Sequence, residues 1–159
     1  MAERNGILTK KTEEKFITAC GELIKPGDRI LVGLSGGPDS VILLSLLEKF
    51  KRNLKVEFGA AHINHSLRGD DSDGDEQFCK EYSEKLDIPF FSINADVKGY
   101  AEKTKMSLEE AGREIRYEFF STIAEQNGFT KIATAHNLDD NTETILLNLA
   151  KGTGMTGLM

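Results

Sequence analysis

The sequence predicts an α/β fold, a doubly wound and mostly parallel sheet with helices on both faces. Three observations lead there. Four short apolar runs alternate with helical patterns along the chain. The first run, Ile30 to Leu34, is nearly continuous rather than alternating, as strands buried on both faces are. The 159 residues, 39% hydrophobic and 29% charged, suit one globular domain with its own core.

The elements follow in order. Phe16, Ile17, Ala19, Cys20 and Leu23 recur at helical spacing over residues 9–24, and Lys25-Pro26-Gly27-Asp28 ends that helix. Residues 1–28 are thus a helix and lead-in, and 29–159 the main domain. Arg29 to Leu34 is the first strand, broken by Ser35-Gly36-Gly37-Pro38. From Asp39 the residues Val41, Ile42, Leu44, Leu46 and Leu47 are spaced as in a helix running to about Phe50. Val56 to Ala61 is the second strand, followed by a polar stretch from His62 to Asp73 and a helix to about Leu86. Pro89 to Ile93 is the third strand. Ser107 and Glu110 form a capping box opening a helix that buries Ile115, Phe119, Phe120 and Ile123 and stops at Asn127-Gly128. Lys131 to Ala135 is the fourth strand, and a last helix is expected from Asp139 to Ala150.

Composition narrows the functional classes. The longest apolar runs fall far short of the roughly 20 residues of a membrane span, and Met1 to Gly6 leads into a charged stretch with no signal-peptide core. A cytoplasmic protein without membrane attachment is the expectation. Cys20 and Cys79 form no CxxC pair and offer no zinc or redox framework. Lys and Arg number 20 against 26 Asp and Glu, a net charge of −6. The window Ser66 to Asp87 holds eight acids against three bases, or −5, which leaves −1 for the remainder. The acidity is one patch, so the overall charge says little against a polyanionic partner.

In a doubly wound sheet, ligands bind beyond the carboxyl ends of the strands, so the loops after Leu34, Ala61 and Ala135 should face one crevice. Ser35, Gly36, Gly37, Pro38, Asp39 and Ser40 lie between a strand and a helix. There two glycines let backbone amides approach a ligand, and the helix N-terminus favours phosphate. The chain contains no Gly-Lys dipeptide, so this is not a Walker loop. The lysine's role falls to Mg²⁺ held partly through Asp39. His62 and His65 lack the further ligands of a zinc site. A calcium loop starting at Asp71 fails, because Glu76 stands where glycine is needed and Tyr82 where the bidentate glutamate belongs. Arg113 and Arg116, three apart, can share a helix face, where pairing with Glu109, Glu110 or Glu114 is the alternative to a ligand role. Asp140 and Glu143 share a face beside His136, whereas Asp139 reads as a dipole partner. Gly152 to Gly157 satisfies GxGxxG but follows an expected helix, so it is not a dinucleotide fingerprint.

The loop SGGPDS after a strand resembles that of the PP-loop ATP pyrophosphatases, which split ATP between its α and β phosphates to adenylate a substrate. Four ordered motifs over about residues 29–159 are similar to tRNA(Ile)-lysidine synthetases. Besides the loop they are HINHSLRG running into the Asp75-Glu76-Gln-Phe78-Cys79 segment, SLEEAGREIRY from Ser107 with Gly112 as a departure, and ATAHNLDDNTET, followed by GTGMTGL. The resemblance implies the adenine nucleotide alpha hydrolase-like (PP-loop) architecture, ATP and Mg²⁺ as cofactors, and free L-lysine and an isoleucine tRNA with a cytidine wobble base as partners. It leaves room for a homodimer. It implies adenylation of the wobble cytidine at C2 with release of pyrophosphate, then attack by lysine's ε-amine with release of AMP. Ser35, Gly36, Gly37, Pro38, Asp39 and Ser40 would hold pyrophosphate and metal, Ala61, His62 and His136 would flank the nucleotide, and Arg116 would meet lysine's carboxylate or a phosphate. Asp140 and Glu143 would meet the lysine amine. Members of the family continue past the GTGxxGL loop into tRNA-binding domains, so this chain alone is expected to bind tRNA weakly. A tRNA 2-thiolation enzyme, with the same ATP chemistry but catalytic cysteine pairs, and a nucleotide-binding module without turnover are the alternatives.

Overall fold

The computed structural model describes residues 10–65, 70–136 and 146–151, and in it the apolar run after Asp28 lies at the middle of a five-stranded sheet. β1 (Arg29–Gly33) pairs in parallel with β2 (Glu57–Asn64) on one side and β4 (Lys131–His136) on the other. β3 (Phe90–Asn94) continues in parallel beyond β2, and β5 (Leu146–Lys151) runs antiparallel outside β4. The order is β3-β2-β1-β4-β5.

Successive residues of β1 point to opposite faces, and each face has its own core. Ile30 and Val32 pack with Leu43, Leu44 and Leu47 of α2 (Pro38–Leu54), with Cys79 of α3 (Asp70–Lys85) and with Phe16 and Cys20 of α1 (Lys10–Leu23). Leu31 packs with Val97 and Ala101 of α4 (Val97–Thr104) and with Phe119, Phe120 and Ala124 of α5 (Leu108–Asn127). Both faces are covered, which is why the first strand does not alternate.

Four expectations need correction. The buried stripe of α1 is Phe16 and Cys20, continued at the same four-residue spacing by Ile24 just past its end, and Ile17 and Leu23 are exposed. β2 runs on to Asn64, so His62 belongs to a strand rather than a polar loop, and α3 already starts at Asp70. The eight-residue α4 is additional; Asp96 caps it by accepting from the Gly99 amide at 2.9 Å. Leu146 to Ala150, expected within a helix, is strand: so short an apolar run suits either state, and pairing with β4 satisfies that strand's outer edge. Residues 139–145 of the same expected helix lie outside the described residues. The capping box stands as read: the Ser107 hydroxyl accepts from the Glu110 amide at 3.2 Å, and the Glu110 carboxylate accepts from the Ser107 amide at 3.0 Å.

The amino ends of β1 and β4 are tied by Asp28. Its carboxylate accepts from the Lys25 amide at 2.7 Å and the Thr130 hydroxyl at 2.9 Å, and meets Lys131 Nζ at 3.5 Å. Burial pushes this carboxyl's pKa up, but the two hydrogen bonds and the ammonium outweigh burial and hold it below 3.8. A group so depressed stabilises the fold above its unfolded pKa and loses that contribution as pH falls through the folded value. Asp28→Ala should therefore cost about 3 kcal/mol at neutral pH, because Lys131 is left buried without its partner. In urea melts of both proteins the difference should shrink as pH falls below 3.8. Gly112, buried where α4 crosses α5, has Val97 Cγ1 3.7 Å from where a Cβ would stand, an ordinary contact. Gly112→Ala should raise stability by roughly 0.5–1 kcal/mol, read as a higher urea midpoint.

Candidate functional site

β1 continues to β2 and β3 on one side, whereas β4 returns to its other side, so the strand order reverses at β1. A cavity of about 460 Å³ opens there, at the carboxyl ends of β1, β2 and β4. Its floor is Gly33, Ala61, Thr134 and Ala135. Glycine is required at 33: a Cβ would stand 2.9 Å from the Phe120 ring and 3.2 Å from Thr134 Cγ2.

The loop from β1 into α2 is closed by its two serines. The Ser35 amide donates to Ser40 Oγ at 3.1 Å, and the Ser40 hydroxyl donates to the Gly37 carbonyl at 2.9 Å. The Ser40 proton being used, Ser35 is the donor in the 3.1 Å contact between the hydroxyls. Gly36 takes φ +85°, a left-handed conformation suited to glycine. Gly37 is the N-cap of α2 and Pro38 opens the helix. Among the described residues no side chain caps this terminus, which presents its positive dipole end toward the cavity.

Two elements hold the loop from outside. His62 donates Nδ1–H to the Leu34 carbonyl at 2.8 Å, which fixes its tautomer, and Cys79 Sγ lies 3.6 Å from the same oxygen. Burial pushes the Cys79 thiol up to about 12, helped by the negative charges of Asp75 and Glu76, so this sulfur is an inert donor and not a nucleophile. One turn before Cys79, Asp75 lies against the loop, with its Oδ1 3.3 Å from where a Gly36 Cβ would stand. A different face of α3 is clamped to the sheet. Asn64 Nδ2 donates to Asp73 at 2.8 Å and to Glu76 at 3.2 Å, and the Ser92 hydroxyl donates to Glu76 at 2.6 Å.

Arg116 and His65 also line the cavity. Among the described residues the buried His65 Nδ1 has no hydrogen-bond partner. Burial, then the Arg116 guanidinium, then His62 hold the His65 pKa below 6.5, so its imidazole is neutral at pH 7.

The structure thus brings Ser35, Ser40, Ala61, His62 and Arg116 around one cavity. Gly36, Gly37, Pro38 and Asp39 form the loop and first helical turn above it. Arg113 parts from Arg116: it is exposed and its guanidinium lies over the Tyr117 ring, 5.5 Å from the centroid. The His136 side chain, Asp139, Asp140, Glu143 and Gly152 to Gly157 lie outside the described residues. Asn64 and Asp75 stand in the HINHSLRG and Asp75-Glu76 motif of the sequence, which by itself assigns neither of them a role in the site. Among the described residues no three His, Cys, Asp or Glu side chains converge as a self-sufficient metal site. Mg²⁺ usually takes one or two carboxylates and completes its shell with substrate phosphates and water. Asp39 in the first turn of α2 and Asp75 against Gly36 are oxygen donors of that kind, so the residues present fit it.

A family model described as PP-loop domain matches residues 8–159. The chain is 47% identical over 136 residues to a tRNA(Ile)-lysidine synthase of Clostridium acetobutylicum, covering 86% of this chain and 30% of that protein. It is 44% identical over 131 residues to the one of Petrotoga mobilis, covering 82% and 42%. It therefore spans less than half the length of these relatives. Among solved structures, the U34-tRNA thiolase NcsA from Methanococcus maripaludis with its [4Fe-4S] cluster is similar at a TM-score of 0.65 and 25% identity, over 82% of this chain and 45% of that one. An NH3-dependent NAD synthetase from Campylobacter jejuni shares the fold, with a TM-score of 0.52 at 18% identity over 77% and 52% of the two chains. Among the described residues no helix is long and apolar enough to cross a membrane.

In an NMR titration His65 should ionise below 6.5, and Arg116→Gln should raise its pKa without fully restoring the ordinary value, because burial is the larger cause. The fold should also lose some stability as pH falls through that range, since the unfolded chain takes up the proton first. A wild-type value at or above 6.5 would contradict the geometry.

Proposed function

The chain belongs to the PP-loop domain family, and on that premise we propose that it is the ATP-binding catalytic portion of a cytoplasmic ligase that joins lysine to C2 of the wobble cytidine of an isoleucine tRNA. The observation that carries this reading is the serine-closed loop and the helix terminus, with no side-chain cap among the described residues, opening onto the same cavity as Arg116.

In the first step the C2 oxygen of cytidine attacks the α-phosphorus of ATP and pyrophosphate leaves. Ser35, Gly36, Gly37, Pro38, Asp39 and Ser40 receive the leaving group. The backbone amides of the loop and the N-terminal dipole of α2 would offset negative charge where it develops, without reorganising at the moment of reaction. Mg²⁺, with Asp39 as a ligand, would neutralise phosphate charge when bound. Ala61 borders the adenine side. His62 serves as a cavity wall and as a tether for Leu34, since its Nδ1 is committed to that carbonyl. His136 is proposed to border the nucleotide.

In the second step the ε-amine of lysine attacks C2, AMP leaves, and the nitrogen gives up a proton. Arg116 would hold the lysine carboxylate or a phosphate, and Asp140 and Glu143 would hold the ammonium and take its proton. Thiolation of tRNA by the same ATP chemistry is the second reading, favoured by the structural likeness to NcsA. A [4Fe–4S] cluster takes about four thiolates, whereas the two thiols of this chain are both buried in the core at 0% exposure.

The test joins this chain to the remaining domains of a lysidine synthase and supplies ATP, labelled lysine and isoleucine tRNA. Label should enter the tRNA with one AMP and one pyrophosphate per lysine. Arg116→Ala should lower kcat/KM about 100-fold, the size expected for a lost charge-assisted contact. ATP-dependent sulfur transfer without lysine incorporation would select the second reading. ATP binding without AMP formation would mark the chain as a binding module.

A further inference from the structure

Asp75 is an unusual neighbour for a loop read as a phosphate cradle. A carboxylate 3.3 Å from the Cβ position of Gly36, on a residue lining the cavity, places a negative charge where a polyphosphate would arrive. Nor is the placement casual. Asp73 and Glu76, three apart, engage Asn64, which is 2% exposed, and Ser92 ties the second oxygen of Glu76 to β3. Asp75 and Cys79, four apart on another face, both meet the loop, at Gly36 and at the Leu34 carbonyl. The clamp sets the rotation of α3, and that rotation sets where Asp75 stands.

We infer that Asp75 is a specificity-determining residue of this site, one that makes the loop accept a polyphosphate as its divalent-metal complex and reject the bare anion, with Asn64 as the positioning residue that acts through it. This rests on the nucleotide reading above. A bare triphosphate meets a like charge at Asp75, whereas a metal-complexed one brings a cation that the carboxylate can face directly or through water. The carboxylate therefore hinders one form of the ligand and helps the other.

Calorimetry on the 159-residue chain, with ATP in Mg²⁺ and with ATP in a chelator, separates the cases. In Mg²⁺, Asp75→Asn should weaken binding about tenfold; in chelator it should tighten binding several-fold, an inversion of sign that loss of packing alone cannot produce. Asn64→Ala should weaken binding in Mg²⁺ in the wild-type background and add nothing in the Asp75→Asn background. Thermal melts without nucleotide report its separate cost to the fold. Should Asn64→Ala not fold, Glu76→Gln, which weakens the same clamp, takes its place. Equal or same-direction effects of Asp75→Asn in the two buffers would overturn the assignment of Asp75, and additive effects of the two substitutions would overturn that of Asn64. A wild-type chain that binds ATP in neither buffer would instead refute the nucleotide reading itself.

Discussion

Leu34 stands where the central strand ends and the loop begins, and its two peptide groups are fully engaged. Its amide donates to the Ala61 carbonyl at 2.9 Å, carrying the β1·β2 ladder one residue past the strand. Its carbonyl receives His62 at 2.8 Å, with Cys79 at 3.6 Å. A buried carbonyl at a strand end is costly if left without donors, and here the donors come from β2 and α3. The loop must leave from that fixed point, so the direction of α2 and the position of the serine pair follow from it. The alternation of faces then divides the core: Ile30 and Val32 commit α1, α2 and α3 to one side, and Leu31 commits α4 and α5 to the other.

Much of this was legible in the sequence. The parallel strands, the turn after β1 and the capping box at Ser107 each follow from local chemistry, whether continuous burial, a Gly-Gly pair or a Ser and Glu three apart. The short α4 was not legible, because eight residues with Gly99 among them carry little periodic signal. β5 was misread since a run such as Leu146 to Ala150 takes its state from the strand beside it.

Within the site, the sequence pointed to Ser35, Ser40, His62 and Arg116 but not to their division of labour. His62 has a tethering task that only the 2.8 Å contact reveals. Arg113 and Arg116 share spacing but not surroundings. The acidic window looked like a charged surface, yet Asp73 and Glu76 share Asn64, Glu76 also takes Ser92, and Asp75 lies against Gly36. Those partners lie on β2, β3 and the loop, and the parallel register of His62 with Ser92 is what brings Ser92 within reach of Glu76. Long-range pairing of that kind leaves no local signature.

The cavity lies between β1 and β4, and these strands pair Ile30 with Lys131 and Gly33 with Thr134 across about a hundred residues of chain. Contacts so distant in sequence carry a loop-closure entropy that must be met before they reward the chain. The β1·β2 half, with its closer partners, can assemble beforehand, but a floor that includes Thr134 and Ala135 cannot. The crevice is thus complete only once β1 and β4 have paired. A ligand seated there binds only the finished molecule, draws the population toward it by mass action, and makes occupancy a direct report of correct folding.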